Sequence, residues 1–195
     1  MGILNSKNTA KNTRIETGRL MIRPFAKDDF EGFCKLAGGI EEIRYKNIGE
    51  MTPERYKKLF NRWAGSYNLS FNRRFTYCFY ITLKETGAHI GWVGLGKLIT
   101  DPKQTEMFVL IGKEHQNQGF AAEASAAMLE YGFDTVGLNE IVAVCRKENK
   151  AAVKTLEKTG FKFKYTQENH SKEFADRNGD PFYAVTKDEY LGVKK

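Results

Sequence analysis

The apolar positions of this chain change period once, sharply, at Gly119. Before it, Met107, Phe108, Val109, Leu110 and Ile111 form an unbroken apolar run of strand length, the pattern of a strand buried on both faces. After it, Ala121, Ala124, Met128 and Tyr131, with Leu129, Phe133 and Val136, recur at three- and four-residue intervals. Together with Ala-rich first turns of high helix propensity, that spacing predicts an amphipathic helix. Between strand and helix lies Gln116-Asn117-Gln118-Gly119-Phe120-Ala121. A loop that opens a helix in this way aims several N–H groups at one spot, and the helix dipole adds positive potential there. The stretch therefore predicts an anion site suited to phosphate.

The pattern on either side places further elements. Leu20-Met21-Ile22-Arg23 reads as a short strand closed by Pro24, and Asp28 precedes a helix carrying Phe30, Phe33, Leu36 and Ala37 that ends at Gly38-Gly39. Thr52-Pro53-Glu54 opens a second helix, with Thr52 as cap and Pro53 at the first helical position. Phe75 to Leu83 is rich in β-formers and stops at Lys84-Glu85-Thr86-Gly87, so His89 to Leu98 pairs back on it as a hairpin. Gly91, Gly94 and Gly96 before Lys97 imitate a phosphate loop. They fail its definition, because Leu98 follows the lysine and no helix does; glycines inside a strand mark bulges or a close backbone approach. Glu140 to Cys145 is the next strand, Asn149 to Thr159 a helix, and Phe161 to Thr166 and Pro181 to Thr186 are strands joined by a long polar loop. Residues 1–12 read as a disordered polar lead-in and residues 13–195 as one domain.

Composition adds limits more than identity. A 41% hydrophobic content over 195 residues supports one sizeable core. No apolar run approaches the roughly 20 residues of a membrane span, and the N-terminus lacks the apolar segment of a signal peptide, so the expected location is cytoplasmic, with no membrane partner. Cys34, Cys78 and Cys145 are widely spaced, without a CxxC pair, which points away from both a disulfide framework and a metal site. The net charge of +7 favours an anionic partner or simply keeps the chain soluble. No basic cluster interleaved with aromatics suggests nucleic acid, and no DNA partner is expected.

Gln116-x-x-Gly119-x-Ala121, after a buried strand and before an Ala-rich helix, resembles the acetyl-coenzyme A pyrophosphate loop of the GCN5-related N-acetyltransferase (GNAT) family. Asn149, the helix after it and Gly160-Phe161 resemble the family's second cofactor element. Thr17-Gly18-Arg19-Leu20 with Arg23-Pro24 and Asp28-Asp29 resembles the opening of the ribosomal-protein alanine N-acetyltransferase branch. The resemblance implies an α/β (α+β) fold: a single GNAT-type domain with a mixed, mostly antiparallel sheet of about six or seven strands, flanking helices and a splayed central parallel pair.

It also implies a chemistry, acetyl transfer from acetyl-coenzyme A to a primary amine of a protein N-terminus or small molecule by direct attack. Such a reaction needs a neutral amine, a polarised carbonyl and a tolerable thiolate leaving group. Glu106 matches the family's general base, and read alone it is also an ordinary strand-end carboxylate. By the same resemblance, the donor is held by Ile111, Gln116, Asn117, Gln118, Gly119, Phe120, Ala121 and Asn149, the last of which also suits a helix N-cap. Lys150, Lys154 and Lys158 form a stripe that is either a wall for the coenzyme's 3′-phosphate or a solvated face. Ala152 and Glu157 stand where family members carry hydroxyls that protonate the leaving thiolate, leaving Tyr165 and Tyr183 as substitutes. Those absent hydroxyls keep open a second class, a coenzyme-A-binding sensor or scaffold without efficient catalysis. A plain dinucleotide-binding domain is disfavoured because Gly-x-Gly-x-x-Gly is missing. Acidic residues in 38–52 (Glu41, Glu42, Glu50) and in 169–181 (Glu173, Asp176, Asp180) are expected to attract a cationic acceptor.

Overall fold

An eight-stranded sheet is the frame on which every other element packs. The computed structural model describes residues 10–38, 52–68 and 76–193. Along the sheet the strands run β1 (Ile15–Glu16), β2 (Leu20–Arg23), β3 (Tyr77–Leu83), β4 (His89–Lys97), β5 (Thr105–Ile111), β6 (Glu140–Val144), β8 (Pro181–Thr186) and β7 (Lys162–Thr166). Neighbours are antiparallel except β5 and β6, which are parallel. The expected six or seven strands become eight because β1 is two residues long, too short to leave a pattern. Among the described residues the α-helices are α1 (Phe30–Gly38), α2 (Pro53–Gly65), α3 (Phe120–Glu130), α4 (Lys150–Lys158) and α5 (Lys187–Val193). Residues 1–9 of the expected lead-in lie outside the described residues, as does most of the 38–52 segment; Ala10–Asn12 forms a single 3-10 turn with Ala10 buried.

The two faces of the sheet are covered by different helices. On one, Leu95 and Ile141 meet Gly132, and Phe79 makes an edge contact with Tyr131 at 5.5 Å, so α3 and its continuation lie there. On the other, Phe33 of α1 and Trp63 of α2 pack on Trp92 at ring separations of 5.4 and 5.7 Å. Each such aromatic contributes on the order of 2–3 kcal/mol of burial. The amphipathic run of α3 does not continue as α-helix to Val136: from Tyr131 to Val136 it widens into a π-helical turn ended by Gly137 at φ 79°. That wider turn lets three consecutive residues, Tyr131, Gly132 and Phe133, all face the core.

Glycine inside β4 has a steric cause. A Cβ on Gly91 would stand 2.1 Å from the Leu110 carbonyl oxygen, and one on Gly94 2.4 Å from the Tyr77 carbonyl oxygen and 2.5 Å from the Phe108 ring. The glycines let β4 press close to β3 and β5, which is the close approach the strand pattern predicts.

Pairing between β5 and β6 is confined to one register position, Glu106 with Val142. Beyond it the two strands part. Gly112 donates to Ile90 at 2.8 Å, which makes Gly112 and Ile90 a hydrogen-bonded pair in the β4–β5 ladder. By alternation, the N–H groups of Val109 and Ile111 turn away from β4, into the gap beside β6. Phe108, Val109 and Leu110 are accordingly half-buried rather than buried on both faces, because the neighbouring strand has left their side.

Candidate active site

At the end of β5 the chain turns through Lys113–His115, a 3-10 turn, into the loop that starts α3. Gln116 folds its side chain back, its Nε2 donating to the Ile111 carbonyl at 2.9 Å, so this residue braces the loop. Asn117 at φ 60° and Gly119 at φ 81° both adopt the left-handed conformation, and the two together swing the backbone into the helix axis. Gly119 is the N-cap and supplies no side-chain cap, so the N–H groups of Phe120, Ala121 and Ala122 in the first turn are left for a ligand. The Phe120 side chain is buried, which anchors the helix and leaves only its backbone at the loop. Asn117, Gln118 and Gly119 are exposed. The loop thus offers main-chain N–H groups and a helix dipole, the features that hold a diphosphate.

The gap between β5 and β6 leads from this loop to Glu106. Glu106 is half-buried at the junction where the strands separate, and alternation puts it on the face that Phe108 shares with Trp63 of α2. Asn149, beyond the end of β6, is the N-cap of α4, its Oδ1 accepting from the Ala152 N–H at 3.0 Å. Lys150, Lys154 and Lys158 are all exposed on α4. β5 thus lines one side of the gap and the loop stands at its end, while Asn149 opens the helix that follows β6.

The two tyrosines left open by the sequence separate. Tyr165 stacks on Phe182 at 4.5 Å, on the sheet face where Phe182 and Ala184 of β8 cluster with Leu98 and with Val142 of β6. Tyr183, opposite Ala143, points to the other face. Burial first, then the Glu157 carboxylate and the Cys145 thiol, raises its phenol pKa. Glu157, which replaces the family hydroxyl on α4, thus stands beside a phenol supplied by β8. Cys145 is itself desolvated, which with the nearby Asp180 pushes its pKa up to about 11.

Acidic residues in the 169–181 loop do not form a free cationic trap. Asp176 binds Arg146 at 2.6 Å, and Asp180, 2% exposed, accepts from the Lys147 N–H at 3.1 Å and from Arg146 at 3.3 Å. Arg146 also donates to the Asp176 carbonyl at 2.6 Å. Two of the three carboxylates expected there are consumed in mooring the loop to the end of β6. Glu41, Glu42 and Glu50 lie outside the described residues.

Sequence reasoning quoted Arg19 and Thr17 as part of an opening motif but assigned them nothing at the site. Thr17 bonds Glu123 in the first turn of α3, and Arg19 bonds both Glu123 and the Gln118 carbonyl of the loop. The signal available was Glu123 itself, a carboxylate in the first turn of the helix that the loop opens. Among the described residues no group of three His, Cys, Asp or Glu side chains could hold a metal ion, and no helix is long and apolar enough to cross a membrane.

Residues 19–162 match the family model described as the acetyltransferase (GNAT) domain. The chain belongs to this family. As a GNAT protein it is an acetyl-CoA-dependent acetyltransferase, with acetyl-CoA as the acetyl donor. The uncharacterised N-acetyltransferase YoaA of Bacillus subtilis strain 168 is 28% identical over 178 residues, covering 89% of this chain and 96% of that protein. The GNAT fold is shared with a GNAT-family acetyltransferase from Bacillus anthracis at a TM-score of 0.73 and 22% identity, over 90% of this chain and 99% of that one. It is also shared with spermidine N-acetyltransferase from Vibrio cholerae, solved in complex with CoA and spermine, at a TM-score of 0.68 and 20% identity, over 90% of this chain and 99% of that one.

Proposed function

We propose that the gap between β5 and β6 is where this acetyltransferase joins donor to amine, with Glu106 as general base. The observation that carries this reading is the single pairing position between the strands, which leaves the Val109 and Ile111 N–H groups facing a gap that runs from the α3 N-terminus to Glu106. The diphosphate of acetyl-CoA lies on the N–H groups of 117–121, and the pantetheine arm runs along β5 as an added strand would. A gap-facing N–H near Ile111 then polarises the thioester carbonyl. The amine nitrogen attacks the carbonyl carbon, the C–N bond forms and the C–S bond breaks. Glu106, directly or through water, takes the ammonium proton. The coenzyme leaves as a thiolate whose conjugate acid has a pKa of about 8.5, a fair leaving group, and Tyr183 is the group we assign to return a proton to it.

The acceptor is a primary amine, on a small molecule or a protein N-terminus. A relative of this fold binds spermine, which puts small polyamines in the panel beside N-terminal peptides and aminoglycosides. Release of free thiol from acetyl-CoA across that panel is the test. Turnover with at least one amine, lost in Gly119→Glu while the fold is kept, is the expected outcome; a folded Gly119→Glu variant with unchanged donor affinity overturns the loop assignment.

A further inference from the structure

The β1–β2 turn and the start of α3 are about 100 residues apart in sequence, yet they are stitched together by charged contacts at the phosphate loop. Glu123 receives four donors. Thr17 Oγ1 reaches its Oε1 at 2.6 Å and the Arg19 backbone N–H reaches the same oxygen at 2.9 Å; Arg19 Nε and Nη2 both reach Oε2 at 2.7 Å. The remaining guanidinium nitrogen, Nη1, donates to the Gln118 carbonyl at 3.0 Å. The guanidinium carbon sits 4.3 Å from the centre of the Phe120 ring, and a Cβ on Gly119 would stand 3.5 Å from Nη2. All three guanidinium nitrogens are engaged within the loop and first turn that hold the anion site.

We propose that Arg19 is the positioning residue of the donor's diphosphate loop, holding the 118–119 peptide in its binding orientation and neutralising Glu123. The inference rests on the reading that this loop binds the diphosphate. In a planar trans peptide the C=O and N–H point in opposite directions. Pulling the Gln118 carbonyl toward Arg19 therefore turns the Gly119 N–H away from the guanidinium, which leaves it free of that cation and available to the diphosphate. Glu123 poses the second problem. Its carboxylate lies in the first turn of the helix, within about one 5.4 Å pitch of the anion site, where its charge opposes a second anion. Burial works against ionisation of Glu123, but the bonds from Thr17 and Arg19 outweigh it and hold the group below the ordinary carboxylate range, so the negative charge is present and must be matched. A guanidinium that gives two N–H groups to one carboxylate oxygen matches it, and its remaining nitrogen fixes the loop; the single ammonium of lysine cannot do both.

The test compares two donors on the full chain: acetyl-CoA, and S-acetylpantetheine, which has the same thioester and no diphosphate. Arg19→Ala is expected to raise the KM for acetyl-CoA by about tenfold or more, the scale of one charge-assisted hydrogen bond, with a several-fold smaller change in kcat/KM for S-acetylpantetheine. Arg19→Lys recovers only part of the loss, and adding Glu123→Gln to Arg19→Ala recovers part of it by removing the unmatched charge. Thr17→Val, which leaves the guanidinium in place, shifts the acetyl-CoA KM in the same direction by less and serves where Arg19→Ala does not fold. Equal losses on both donors would show a general support of the fold and overturn the proposal, as would an unchanged acetyl-CoA KM. A wild-type enzyme that uses both donors equally well would remove the loop reading itself, a different failure from that of Arg19.

Discussion

Glu106 and Val142 face each other at the one register position where β5 pairs with β6, so the proposed base sits at the fork from which the donor's gap opens. Its backbone is held by the ladder to Gly96 on one side and by β6 on the other.

Replacing Glu106 by Gln keeps the shape and removes the base. The kcat/KM is expected to fall on the order of a hundredfold, while calorimetry shows unchanged affinity for coenzyme A. Near-normal turnover at neutral pH would make Glu106 a structural carboxylate.

Tyr183→Phe tests the proton return to sulfur. Because its phenol pKa is raised, Tyr183 stays protonated across the working range and retains a proton to give. The variant is expected to lose about tenfold in kcat at pH 7, at the low end of acid–base effects, and less at pH 9, where the free thiolate is stable. A kcat unchanged at both values would assign Tyr183 to packing against Phe163 alone.

Arg146→Ala frees the 169–181 loop and leaves Asp180 buried with the Lys147 N–H. Breaking a buried pair costs about 3–5 kcal/mol at the upper end, and Arg146 is partly exposed, so a fall of half that size is expected in denaturant unfolding. The acceptor KM should rise while coenzyme affinity holds, and adding Asp180→Asn should restore part of the stability. An acceptor KM that does not move would separate this loop from the acceptor side.

Gly94→Ala places a methyl group against the Tyr77 carbonyl and the Phe108 ring. Overpacking of this kind costs about 2–3 kcal/mol, a fall in Tm of roughly 5–10 °C for a chain of this length. Gly160→Ala is the control for glycine loss without a clash, since nothing lies within 4 Å of its added Cβ, although its φ of 91° adds backbone strain. A Gly94→Ala protein as stable as wild type would mean that β3 and β4 can separate at no cost.

Cys145 is expected to resist alkylation by iodoacetamide at pH 8 in the folded protein and to react once unfolded. Its raised pKa keeps it protonated, and the thiolate is the reactive form. Fast labelling of Cys145 in the native state, read by peptide mass mapping, would contradict the burial that raises it.

Much of this molecule was legible as periodicity. The apolar run of β5, the switch to three- and four-residue spacing at Gly119 and the Thr52-Pro53 start of α2 are local patterns, and local hydrogen bonds and propensities decide such elements. The features behind the proposed loop chemistry were local too, since a left-handed Gly119 ahead of an Ala-rich turn leaves the first-turn N–H groups without a side-chain cap. What the sequence could not carry was anything set by strands or side chains meeting across a hundred residues. The parting of β5 from β6 was expected only through the family resemblance, and the choice between Tyr165 and Tyr183, the capture of Asp176 and Asp180 by Arg146, and the Arg19 clasp on Glu123 each depend on which faces and edges the sheet order brings together. A strand's alternation names two faces, but only its neighbours decide what each face meets, and that choice belongs to the tertiary fold.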